Sequence, residues 1–234
     1  MLRSDFCKHM ASVSCIIPAY NEAQRIGDVL SVATAHPLIH EVIAVDDGST
    51  DNTAQAIASF KNVRLIAQQH NTGKSGAICA GIRASTCEHL LFLDADLIGL
   101  TEADVTALLS PVLNGVADAT ISLRKDAFLP WRTIGLDYLS GERVLRRNIL
   151  AGHLEVIEKL PGFGLESYIN DLLIRHRARI EVVRWDSVGH VLKTKKYGVW
   201  NGIAGETRMV MNIIGTTSLA GSAQQISAMR RLQA

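Results

Sequence analysis

The sequence predicts an α/β fold: a mostly parallel central sheet flanked by helices. Two observations carry that expectation. Short apolar runs alternate with stretches whose apolar residues follow helical spacing, the pattern of parallel strands joined by crossover helices. The early runs also end in polar clusters, at Pro18–Glu22, Asp46–Ser49 and Asp94–Asp96. In sheets of this kind ligands bind beyond the carboxyl ends of the strands, so three such clusters point to one site.

The elements follow in order. Ser14–Ile17 is an apolar run stopped by Pro18, a strand ending in a loop. Asn21 or Glu22 opens a helix with Ile26, Val29, Leu30 and Ala33 at helical spacing. Glu41–Val45 is a strand that ends at Asp46-Asp47-Gly48. Asp51 suits the N-cap of the next helix, which carries Ala54, Ile57 and Ala58. Val63–Ala67 reads as a strand, Thr72–Ser85 as a Gly/Ala-rich helix and His89–Leu93 as a strand. A helix with Val105, Leu108 and Leu109 and a strand over Ala117–Ser122 complete the regular part. Further on, Leu139–Leu150 reads as a basic helix, Leu165–Ile174 as a helix and Ile180–Trp185 as a strand. Trp200–Ile214 and the tail Ala220–Leu232 read as helical.

Composition bounds the function. The chain has 234 residues, 47% of them apolar and 20% charged, which suits one domain with a substantial core and excludes a disordered polyelectrolyte. Net charge is +1, but residues 1–119 hold 7 basic and 13 acidic side chains and the remainder 17 and 10. An acidic half beside a basic half suits a site where a cation meets anionic ligands. Near-neutral charge and the lack of any nucleic-acid motif argue against a nucleic-acid partner. Cys7, Cys15, Cys79 and Cys87 show no zinc spacing, and free thiols fit a reducing compartment. Residues 1–10 are mixed and polar, unlike a signal peptide, and no apolar run reaches the roughly 18 residues of a membrane span. The expected location is the cytoplasm, with peripheral contact at the inner face of the membrane left open.

Asp94-Ala95-Asp96 carries the chemistry. Two carboxylates held close repel, and one tends to keep a proton unless a cation joins them. Mg²⁺ or Mn²⁺ resolves the conflict, because each takes carboxylate oxygens and leaves positions for phosphate. The pair therefore suggests a metal bridge to a diphosphate. Gly73-Lys74-Ser75 is not a P-loop, since the upstream glycine that such a loop needs is missing at Ala67 and Gln68.

Four segments together resemble the family-two glycosyltransferases of the GT-A fold: Ile16–Glu22 (IIPAYNE), Val45–Asp51 (VDDGSTD), Asn71–Lys74 (NTGK) and Leu93–Leu97 (LDADL). The resemblance covers about residues 12–125 and is nearest to dolichol- or polyprenyl-phosphate sugar synthases and glucosyl-3-phosphoglycerate synthases. It implies one glycosyltransferase domain over 1–234, with 12–125 binding a UDP- or GDP-linked sugar and 126–234 binding the acceptor. On that reading Pro18, Tyr20 and Glu22 line the nucleoside pocket, and Asp46 and Asp47 contact base or ribose. Gly73 and Lys74 lie near the nucleotide, and Asp94 and Asp96 hold Mg²⁺ or Mn²⁺ on the diphosphate.

The resemblance continues more loosely at Gly162–Ser167 (GFGLES), where Glu166 becomes the acceptor-side carboxylate, and at His190, which completes the metal shell. In an inverting enzyme Glu166 would deprotonate an acceptor hydroxyl; with a phosphate acceptor it would only position groups. Asp171 is off the face of Glu166 and is taken as structural. Arg143, Arg146 and Arg147, with Lys193, Lys195 and Lys196, form basic clusters suited to an acceptor phosphate or anionic lipid. Met209–Ile214 packs on the domain, on a second subunit of a homodimer, or on a membrane surface. Two rival readings are a sugar nucleotidyltransferase, which would open with a Gly-rich loop after the first strand, and a non-catalytic nucleotide-binding module of the same fold.

Overall fold

The computed structural model describes residues 12–190 and 219–233. Nine strands and nine helices are described there. The first half runs β1 (Val13–Ala19), α1 (Ile26–Ala35), β2 (Glu41–Asp46), α2 (Thr53–Ala58), β3 (Val63–Ala67), α3 (Gly73–Ala84) and β4 (His89–Phe92). It continues with β5 (Leu97–Ile98), α4 (Glu102–Leu113) and β6 (Ala119–Arg124). Then come α5 (Leu129–Ile134), β7 (Arg143–Arg146), α6 (Asn148–Ala151), α7 (Leu154–Ile157) and α8 (Gly164–Arg175). The last elements are β8 (Ile180–Trp185), β9 (Gly189–His190) and α9 (Leu219–Arg230).

Seven strands form one sheet in the order β3-β2-β1-β4-β7-β6-β8. Only β7 runs antiparallel to its neighbours, β4 and β6. A second, two-stranded sheet pairs β5 with β9. Strand alternation sorts the core into two layers. Val13, Cys15 and Ile17 of β1 and Leu91 of β4 pack with α1 and α4 on one face. Ile16 of β1 and Leu90 and Phe92 of β4 pack with α3, α8 and α9 on the other. Each fully buried Ile or Leu contributes about 1.5–3 kcal/mol, so both layers are strongly held.

Local chemistry sets several boundaries. Asn21 has φ 56°, the left-handed region, so no helix starts there; its side chain accepts a hydrogen bond from the Thr50 N–H at 2.8 Å. Glu22 begins a turn, and the regular helix opens at Ile26. Asn52 holds the N-cap position of α2, while Asp51, one residue earlier, accepts from the Thr53 N–H. Thr101 and Asp104 form a reciprocal capping box at the start of α4. Cys15, Cys79 and Cys87 are buried free thiols.

The basic helix expected over Leu139–Leu150 does not form. Its centre is β7, inserted between β4 and β6, and only Asn148–Ala151 is helical. Arg143 is consequently buried, whereas Arg146 pairs with Glu88 at 2.9 Å, so the three arginines do not form one helical basic face. Trp200–Ile214, Lys193, Lys195 and Lys196 lie outside the described residues. Among the described residues no helix is long and apolar enough to cross a membrane.

Helix α3 lies close against β1 because Gly81 has no side chain: a Cβ there would collide with Cγ2 of the buried, β-branched Ile16. Gly81→Ala is expected to lower unfolding stability by about 1–3 kcal/mol through overpacking, read as a lower urea midpoint at unchanged m-value.

Candidate active site

A cleft of about 300 Å³ opens beyond the carboxyl ends of the parallel strands. Pro18, Ala19 and Tyr20 enter it from the end of β1, followed by Glu22. Asp47 follows β2, and Asn71, Gly73, Lys74 and Ala77 come from the start of α3 and the loop before it. Asp94, Ala95 and Asp96 close it beyond β4. The strand breaks here as paired carboxylates require: β4 ends at Phe92, a turn holds Ala95 and Asp96, and the chain re-enters a sheet at Leu97. Tyr20 is 45% exposed at the rim, open to an aromatic ligand. Glu22 forms an ion pair with Arg25.

The two aspartates after β2 are organisers of loops. Asp47 accepts from the Thr72 N–H (2.8 Å), the Thr72 hydroxyl (2.9 Å) and the Gly73 N–H (2.9 Å), which clamps the loop onto the start of α3. Asp46 is not among the residues lining the cleft; its Oδ1 accepts from the Ser49 N–H at 3.2 Å.

Lys74 joins the two halves of the chain. Its Nζ lies 2.7 Å from Asp94 Oδ1 and 3.1 Å from Glu166 Oε1. Burial disfavours the ammonium charge, but Asp94 and Glu166 outweigh it and hold the pKa above the ordinary lysine value. Glu166, in the first turn of α8, is 2% exposed, and its Oε2 has no hydrogen-bond partner among the described residues. Space around this pair depends on Gly141: a Cβ there would sit 2.5 Å from Lys74 Nζ and 2.8 Å from Asp94 Oδ1. His190 reaches the area through its backbone, since β9 pairs Leu97 with His190, one residue beyond Asp96.

A second tier of charge lies behind. Glu142 accepts from the Ser122 and Ser140 hydroxyls (2.7 and 2.8 Å) and from Arg124. Arg124 also lies 3.9 Å from Asp137. Burial, partly offset by Arg124 and reinforced by Glu142, pushes the Asp137 carboxyl up to about 6. Arg143 donates to the Ser140 carbonyl and to Asn170 Oδ1, and burial lowers its pKa against the fields of Glu166, Asp137, Glu142 and Asp94. Sequence reasoning missed Gly141, Glu142 and Arg124. A glycine between Ser140 and Glu142 was the available signal against a continuous helix.

With the geometry in place, the comparisons identify the class. The family model for glycosyl transferase family 2 matches residues 14–165, and the chain belongs to that family. An uncharacterized glycosyltransferase, YaiP, of Escherichia coli is 29% identical over 180 residues, covering 72% of this chain and 45% of the relative. A dolichyl-phosphate beta-glucosyltransferase of Dictyostelium discoideum is 36% identical over 105 residues, 38% of this chain and 32% of its own length. An undecaprenyl-phosphate 4-deoxy-4-formamido-L-arabinose transferase of Pseudomonas fluorescens is 29% identical, covering 71% and 58%. The chain thus spans a third to just over half of the length of these relatives. Glucosyl-3-phosphoglycerate synthase of Mycobacterium tuberculosis, solved with phosphoglyceric acid, superposes with a TM-score of 0.62 at 26% identity, covering 77% of this chain and 72% of that one. The expected GT-A architecture is the one found.

Asp137 gives a pH prediction. Its folded pKa of about 6 exceeds the ordinary 3.8, so the native state binds more protons than the unfolded chain between those values. Through this group stability falls as pH rises from about 4 to about 6, by on the order of 1–3 kcal/mol. Asp137→Asn should flatten that part of the stability profile measured by urea titration.

Proposed function

We propose that this chain is a metal-dependent glycosyltransferase that moves a sugar from a nucleotide-diphosphate sugar to a hydroxyl or phosphate acceptor. The observation that carries the reading is the Asp94–Lys74–Glu166 bridge, which joins one of the cleft's two aspartates to a buried carboxylate on α8. Pro18, Tyr20 and Glu22 receive the nucleoside, and Asp47 holds the loop that presents Gly73 and Lys74. Asp94 and Asp96, with His190 from β9, are the residues that would hold Mg²⁺ or Mn²⁺. Asp94 and Asp96 fit such an ion, since both are hard oxygen donors lining the cleft and Asp94 already attracts an ammonium. When bound, such an ion would supply neutralisation of the charge on the leaving diphosphate.

The protein's own groups do the rest. The Lys74 ammonium lines the cleft and would face the diphosphate of a bound donor, with Glu166 as its second carboxylate partner. In an inverting reaction Glu166 Oε2 would accept the proton of an acceptor hydroxyl; with a phosphate acceptor, which is anionic and needs no base, Glu166 orients it. UDP is the favoured nucleotide, because the mycobacterial synthase is solved with Mn²⁺, uridine-diphosphate-glucose and phosphoglyceric acid, at 25% identity and a TM-score of 0.63. The acceptor is phosphorylated, either small as in that synthase or a polyprenyl phosphate as in the lipid-linked relatives. A nucleotidyltransferase reading has no support in Pro18–Glu22, which is no glycine-rich loop.

Calorimetric titration with UDP and GDP, in Mn²⁺ and then EDTA, tests the donor side: metal-dependent binding of one nucleotide is expected, and binding indifferent to EDTA would overturn the metal assignment. Asp96→Ala should lower metal-dependent turnover at least about 100-fold with the melting temperature little changed. Glu166→Gln should lower transfer by about 10²–10⁴-fold for a hydroxyl acceptor while donor affinity holds. A fall in donor affinity instead would place Glu166 on the wrong side of the site.

A further inference from the structure

The C-terminal helix α9 reaches the acceptor side through one buried amide. Gln225 is 6% exposed, and both ends of its amide are engaged. Its Nε2 donates to the Ser167 carbonyl (2.9 Å) and to Asp171 Oδ1 (2.7 Å). Its Oε1 accepts from Asn170 Nδ2 (3.3 Å) and the Ser167 hydroxyl (3.4 Å). Asn170, fully buried, also donates to the Tyr138 carbonyl at 2.7 Å and accepts from Arg143 Nη1 at 3.0 Å.

The direction of this chain of bonds is forced. Arg143 can only donate, so Asn170 must turn its oxygen to it and its NH₂ to Gln225. The Ser167 carbonyl can only accept, so Gln225 must turn its NH₂ to it and its oxygen to Asn170. Each amide orientation therefore depends on the other. The relay ends at the residue after Glu166 on one side. On the other it ends at the buried guanidinium whose charge Glu166 helps to support.

Helix α9 is itself firmly seated. Met229 is buried in the core, and the Leu232 carbonyl accepts from the Ile180 N–H at 2.8 Å.

We propose that Gln225 is a positioning residue for Glu166: through Ser167 and Asn170 it sets the first turn of α8 and the placement of Arg143. The C-terminal helix thereby completes the acceptor side of a cleft built by the other half of the chain. This rests on the reading of Glu166 as the acceptor-side carboxylate.

The test uses the full chain carrying Gln225→Met, which keeps the side chain's length and removes its hydrogen bonds, alone and combined with Glu166→Gln. Transfer from UDP-glucose to 3-phosphoglycerate and to undecaprenyl phosphate is followed by UDP release, beside UDP affinity in Mn²⁺. The expected result is a loss of about 10- to 100-fold in kcat with unchanged UDP affinity, and no additional loss when Gln225→Met is placed in the Glu166→Gln background. Loss of thermal stability with kcat intact, or a loss that multiplies with that of Glu166→Gln, would overturn it.

If the wild-type chain transfers to neither acceptor, or Glu166→Gln leaves turnover unchanged, the functional reading fails by itself. The crystal structure of Gln225→Met then decides the placement. A Glu166 carboxylate or Arg143 guanidinium displaced by about 1 Å, the scale that matters in a reacting geometry, supports the proposal. An unmoved pair refutes it.

Discussion

One ammonium group organises this site. Lys74 stands between Asp94, at the end of a central strand, and Glu166, at the start of a helix from the other half of the chain. Without a cation between them these acids would repel, and one would hold a proton. Much of the nearby structure exists to put that ammonium there. Asp47 clamps the loop from which α3 starts, so Lys74 enters the cleft from a fixed first turn. Gly141 leaves the space that the ammonium and the Asp94 carboxylate occupy.

Behind this bridge the protein buries more charge than stability alone would favour. Glu142, Asp137, Arg124 and Arg143 are almost wholly enclosed, and burying ions is costly even when they are paired. The cost is contained by hydrogen bonds: Glu142 accepts from two serines and an arginine, and Arg143 donates to neutral oxygens. A cluster of this kind makes a rigid polar floor whose members are hard to move singly. That rigidity fixes the placement of the charges behind the Lys74 bridge.

The match to glycosyl transferase family 2 ends at Leu165, one residue before Glu166. Beyond it α8, β8 and α9 lean on one another through Gln225, Asn170 and the Ile180–Leu232 bond.

By itself the sequence determined most strands of the main sheet almost to the residue. β3 and β8 have the expected bounds, and β1, β2 and β4 extend or stop within two residues of them. Strands buried on both faces read as unbroken apolar runs, and their polar ends mark the cleft, so Pro18, Tyr20, Glu22, Asp94 and Asp96 were legible as one site. β7 was not. Its arginines and leucines follow helical spacing, and only pairing with β4 and β6, distant in sequence, makes the segment a strand. The same holds for the bridge from Lys74 to Glu166 and the relay from Gln225 to Arg143. Local patterning records which residues must be buried. Which charges meet inside is decided by long-range packing, because a buried charge's partner is chosen by the fold and leaves no periodic trace along the chain.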